Sequence, residues 1–87
     1  MKPRDSVQWF ATKMESVLRD NDHKTGWSDM ELIWLFERMG DEWAELEVFL
    51  QDSDGFKSDC RKDIINQCAD IANFAMMIAD NVAIPGD

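Results

Sequence analysis

The chain has 87 residues, enough for one small domain spanning residues 1–87, and a domain of this length buries only about 60–65% of the surface its unfolded chain exposes. Eighteen acidic residues against nine basic ones give a formal net charge of −9. That charge argues against a nucleic-acid polymer or an anionic membrane surface as partner, because both select cationic faces.

Residues 1–5 are a polar lead-in, and MKPRDSVQWF turns polar where a signal peptide would carry its apolar segment. No apolar run approaches a membrane span, so cytoplasmic residence is expected. From Ser6 to about Asp20, Val7, Phe10, Ala11, Met14, Val17 and Leu18 fall at helical spacing and predict a one-sided amphipathic helix. The segment NDHKTGW, residues 21–27, reads as a loop that holds the only histidine together with a lysine, an asparagine and a tryptophan. Asn21 suits the end of the first helix. Ser28-x-x-Glu31 has the form of a capping box, with Trp27 and Leu32 placed as its hydrophobic staple. His23 and Lys24 meet no structural need there, so ligand contact and plain exposure stay open for both.

The second helix is predicted from Asp29 to about Gln51. Gly40 in its interior costs on the order of 1 kcal/mol against alanine, which points to a close helix contact or a local irregularity. Residues 52–57, DSDGFK, form a second loop; they do not fit a calcium-binding loop, because Gly55 stands at the fourth position rather than the sixth. The third helix runs from Ser58, a plausible N-cap, to about Asn81, and Pro85 and Gly86 forbid its continuation. Cys60 and Cys68 lie eight residues apart on it, roughly 12 Å along the axis, so they cannot bridge each other and read as reduced thiols.

Two polar intrusions into apolar faces carry the chemistry. In the third helix Ile64, Ile65, Cys68, Ile71, Ala72, Ala75, Met76, Ile78 and Ala79 cover most of the surface, which predicts near-complete burial. Gln67, Asp70 and Asn73 nevertheless recur on it at steps of three. A buried carboxylate is costly unless it is paired, hydrogen-bonded or metal-bound. In the second helix Leu35, Met39, Leu46 and Phe49 form a stripe with Glu42 inside it and Glu45 one turn on. Facing acids on bundle helices suit a hard divalent cation such as Mg²⁺ or Mn²⁺. The structural alternative pairs Glu42 with Arg38, and Asp70 with Asn66 or Asn73.

These residues resemble a family. Asp41-Glu42-Trp43-Ala44-Glu45, followed after 21 residues by Gln67-Cys68-Ala69-Asp70, is similar to the E-x-x-E … E-x-x-D signature of the MazG-like, all-α NTP pyrophosphohydrolases. The F-A-x-x-M-E-x-x-L helix from Phe10 to Leu18, the loop from Asn21 to Trp27 and the segment from Asp70 to Asp80 resemble its small phage and bacterial versions. The resemblance implies three long antiparallel helices completed into a four-helix-bundle core by a second subunit, in a homodimer or homotetramer. It implies Mg²⁺, or Mn²⁺, held by Glu42, Glu45, Gln67 and Asp70, with Glu42, Glu45 and Asp70 catalytic. Asn73 would face substrate or stand behind the ligands, and Asn21, His23, Lys24 and Trp27 would contact a nucleoside or deoxynucleoside triphosphate.

The chain departs from the signature at Gln67, which offers a neutral carbonyl where the family has a carboxylate. Asp63, one turn back, is placed to compensate. A catalytically weak or inactive relative, serving as a nucleotide-binding or helical interaction module, is the alternative. A third class, an acidic protein occupying a partner's DNA-binding surface, rests on the charge alone.

Overall fold

The structure, a computed structural model, describes residues 1–21, 26–51 and 58–83. Three helices account for most of them: α1 (Asp5–Asp20), α2 (Leu32–Gln51) and α3 (Ser58–Val82). The described residues hold no strand, so the fold class is all-α as predicted.

In α1 the half-buried positions include Phe10, Met14, Val17 and Leu18, the apolar residues that recur at helical spacing. Asn21 caps its C-terminal end. Its backbone N–H bonds to the Leu18 carbonyl, and its side-chain amide donates to the Val17 carbonyl at 3.0 Å, satisfying two of the carbonyls a helix end leaves free.

The second helix starts at Leu32 rather than Asp29, and the Ser28–Glu31 capping box does not form. Ser28 and Asp29 lie in a turn in which the Met30 N–H bonds to the Trp27 carbonyl at 3.0 Å. The cause is tertiary. Trp27 donates its indole N–H to Asp80 Oδ2 at 3.0 Å, and its carbonyl accepts from the Asn81 amide at 2.9 Å. With Trp27 pinned to the far end of α3, the chain must turn before it can coil.

Helix α2 then runs unbroken through Gly40, where an added Cβ would meet nothing within 4 Å. No close contact among the described residues explains that glycine. The 52–57 segment, the residue preceding Ser58 and the Pro85–Gly86 stop lie outside the described residues.

Helix α3 is central: it packs on both α1 and α2, which do not pack on each other. It runs antiparallel to α2, since Trp27 stands level with Asp80 and Asn81 while Glu42 stands level with Gln67. Near-complete burial of α3 is corrected. Two neighbours cover only part of its circumference, so among the described residues only Gln67, Ala69 and Asn73 are fully buried on it. Phe74, Met76, Met77 and Ile78 are half-buried, and Ala75 and Ala79 are exposed. The large exposed apolar side chains are instead concentrated on α2.

Leu35, at 1% exposure, is the one large side chain fully buried among the described residues. Leu35→Ala is therefore expected to cost about 2–5 kcal/mol through lost transfer energy and a residual cavity, a large share of the roughly 5–15 kcal/mol that holds a domain together. Urea melts followed by circular dichroism check this; an unmoved midpoint would show that the core lies elsewhere.

Candidate active site

A cleft of about 920 Å³ opens over α3, walled by the end of α1, by Trp27 in the connector and by α2. It gathers five of the residues singled out by sequence: Asn21, Trp27, Glu42, Asp70 and Asn73. The connector wall exists because Trp27 is tied to Asp80 and Asn81. The α2 wall exists because Trp34, Arg38 and Glu42 follow one another at steps of four. A second cleft of about 620 Å³ on the α1–α3 side shares Val17, Asn21 and Asp70 with the first and adds Lys13 and Lys62. Asp70 is thus reached from two directions.

Asp70 is electrostatically uncomfortable. Burial raises its carboxyl above the ordinary 3.8, and the charges of Glu42 and Glu45 push it further the same way. Among the described residues no hydrogen bond or ion pair reaches it. The nearest α2 cation on that wall is otherwise engaged: Arg38 pairs with Asp41 at 3.3 Å and lies 5.9 Å over the Trp34 ring. The local alternative, Arg38 with Glu42, is therefore not the pairing adopted.

Glu42 is held by Gln67. The buried Gln67 amide donates to the Glu42 backbone carbonyl at 3.0 Å and to its carboxylate Oε2. A glutamate at this position would have no proton to give and would set a second charge against the first. Asn73, also buried, donates to the Met14 carbonyl at 3.1 Å and not to Asp70. Its Oδ1 is buried without a partner, a state that costs roughly 1–3 kcal/mol and that a ligand donor would relieve.

Other sequence-derived positions fall differently. Glu45 is exposed and does not line the cleft, although its charge acts on Asp70. Asp63 is exposed and lines neither cleft, so it does not stand in for a glutamate at position 67. His23 and Lys24 lie outside the described residues. Arg38 and Trp34 were not singled out as site residues. Their signal was the spacing 34–38–42, which puts a ring and a guanidinium on the same side as the acid.

The donor set fits a hard divalent cation in kind, since Glu42, Glu45 and Asp70 supply carboxylate oxygens alone. It is not a finished cage. Among the described residues no group of three or more histidine, cysteine, aspartate or glutamate side chains is close enough to hold an ion. Coordination by all three acids requires Glu45 to turn inward from solvent.

What fold and site define is an all-α protein with a wide, acid-floored cleft. No protein-family model, no curated protein and no solved structure matches the chain. No helix of the described residues is long and apolar enough to cross a membrane.

The Asp70 environment sets a pH dependence. A carboxyl raised in the folded state holds its proton more tightly there than when unfolded, so stability falls as pH rises from the unfolded toward the folded pKa. Above that window ionised Asp70 subtracts stability; below it the penalty is gone. In metal-free solution Asp70→Asn is expected to melt higher than the parent at pH 7, with the gain vanishing near pH 3.5. A gain of equal size at every pH would assign the effect to packing instead of charge.

Proposed function

We propose that the protein is a divalent-cation-dependent nucleoside triphosphate pyrophosphohydrolase, releasing pyrophosphate and a nucleoside monophosphate. The observation that carries this reading is the half-buried Asp70, which lines the cleft with Glu42 and has no hydrogen-bond or ion-pair partner among the described residues, so that burial first and the charges of Glu42 and Glu45 next raise its carboxyl. A bound Mg²⁺ or Mn²⁺ would neutralise that charge and supply Lewis-acid stabilisation to the phosphates. Glu42 and Asp70 would hold it, joined by Glu45.

The remaining roles follow from the chain's own groups. Gln67 fixes the Glu42 carboxylate through its amide. Trp27 and Trp34 offer aromatic faces for a base, and Arg38 offers a planar guanidinium suited to phosphate oxygens. Asn73 Oδ1 awaits a donor from substrate or from bound water. The resemblance to MazG-like enzymes supports the same assignment and adds the bond cleaved, that between the α and β phosphates.

Incubation with a panel of NTPs and dNTPs plus Mg²⁺ or Mn²⁺, assayed for pyrophosphate, tests the proposal. Turnover is expected to depend on added metal and to fall on the order of 100-fold or more in Glu42→Gln and Asp70→Asn, the scale for losing an acid–base or electrostatic group. No pyrophosphate from any nucleotide would sink the enzymatic reading.

A second reading, a nucleotide-binding module without turnover, is favoured by one observation: Gln67 puts a neutral amide, donating to Glu42, where the resemblance expects a further carboxylate. Gln67→Glu tests whether this position belongs to a metal site or to a structural bond. In EDTA it is expected to lower the melting temperature, because a donor is lost and like charges meet. With saturating Mg²⁺ the loss should shrink or reverse, because the cation outweighs the repulsion. Equal loss in both conditions would make Gln67 a purely structural bond and remove the metal from this site.

A further inference from the structure

The two clefts that meet at Asp70 have opposite chemistry. The first is walled mainly by apolar side chains, among them Trp27, Met30, Trp34, Phe74 and Met77. The second, on the α1–α3 side, is lined by polar and charged residues apart from Val17 and Ile65. It holds two lysines from different helices, Lys13 and Lys62, in a chain whose net charge is −9.

Helical spacing puts the lysines there. On α1, Lys13, Ser16 and Asp20 follow at steps of three and four; on α3, Lys62, Asn66 and Asp70 follow at steps of four. Each lysine therefore shares a face with the rest of its wall. The Lys13 ammonium lies 5.8 Å over the ring of Trp9, one turn back, which steadies a long side chain on that side of α1.

Charge decides what such a cleft can take. Without a cation, Asp20 and Asp70 balance the two lysines, and the cleft has no net pull on an anion. A divalent cation on Asp70 would leave two positive charges in excess, beside an amide donor from Asn66 and a hydroxyl from Ser16. Lysine ammonium groups are compact point charges that suit phosphate oxygens. The matching ligand is flat and apolar at one end and multiply anionic at the other, with the cation between.

We propose that the second cleft is a diphosphate site. Lys13 and Lys62 bind the β and γ phosphates of the nucleotide, and pyrophosphate leaves by the α1–α3 mouth while the nucleoside lies between Trp27 and Trp34. The assignment rests on the pyrophosphohydrolase reading, and it leaves Arg38 to the α phosphate.

Isothermal titration of the full chain with pyrophosphate in Mg²⁺ tests it without turnover. Lys13→Ala and Lys62→Ala are each expected to bind about tenfold more weakly than the parent, the scale of one charge-assisted hydrogen bond. Lys13→Arg and Lys62→Arg should keep most of the affinity. Arg38→Ala and Trp34→Ala, in the first cleft, should bind pyrophosphate as the parent does. Lys13→Gln and Lys62→Gln, which keep most of the stem and lose the charge, replace any alanine variant whose helical circular dichroism is lost.

A parent that does not bind pyrophosphate overturns the site, as do lysine variants that bind it like the parent. Loss of binding in Arg38→Ala instead would place the diphosphate in the first cleft. Nucleotide turnover with lysine-independent pyrophosphate binding sinks this site and keeps the enzyme. Lysine-dependent binding without turnover of any nucleotide sinks the enzyme and keeps the site.

Discussion

The half-buried carboxylate of Asp70, raised by burial and by the charges of Glu42 and Glu45, is the constraint on which the site depends. Folding removes part of its hydration, and packing α2 against α3 then brings up Glu42 and Glu45, which worsens the position. A core chosen for stability alone would place an apolar residue here, since burying an unpaired acid is among the costlier things a fold can do. The arrangement makes physical sense if a cation is part of the working state. Asn73 points the same way from a neutral group, because its Oδ1 is the one buried side-chain acceptor without a partner among the described residues.

Gln67 shows how the same fold limits that repulsion. Its amide reaches across from α3 to hold both the carbonyl and the carboxylate of Glu42, binding the two helices where their acids approach. A carboxylate in its place would lose the donor and add to the repulsion. The neutral amide supplies a donor and adds no charge to the cleft. Fold stability without an ion and negative charge on offer to a cation are therefore opposed at this residue.

Helix positions were legible from the sequence because each depends on periodicity within one segment: Phe10, Met14, Val17 and Leu18 reveal α1 without reference to anything else. The α2 start was not, because Trp27 is fixed by Asp80 and Asn81, more than fifty residues away. The Glu42–Gln67 bond was hidden for the same reason. A local cation, Arg38, stood one turn from Glu42, and spacing alone favours local pairs. Clustering of Glu42, Asp70 and Asn73 was readable because acids and amides stand out in apolar stripes. Arg38 and Trp34 were not, since a charged residue and a tryptophan on a helix have ordinary reasons to be there.

The apolar side chains of α2 fall on two lines. The inner line places Leu35, Glu42 and Phe49 against α3; the outer line places Leu32, Phe36, Trp43 and Leu50 away from it, with Met39 and Leu46 on the border. Glu42 and Trp43 are neighbours in sequence, but about 100° of helical turn separates their side chains. A central helix flanked by two others that do not touch has little to keep their spacing fixed. Rigidity in α2 must then come from α3, through Gln67 and Leu35. The distance between Glu42 and Asp70, on which any shared cation depends, is set by that packing.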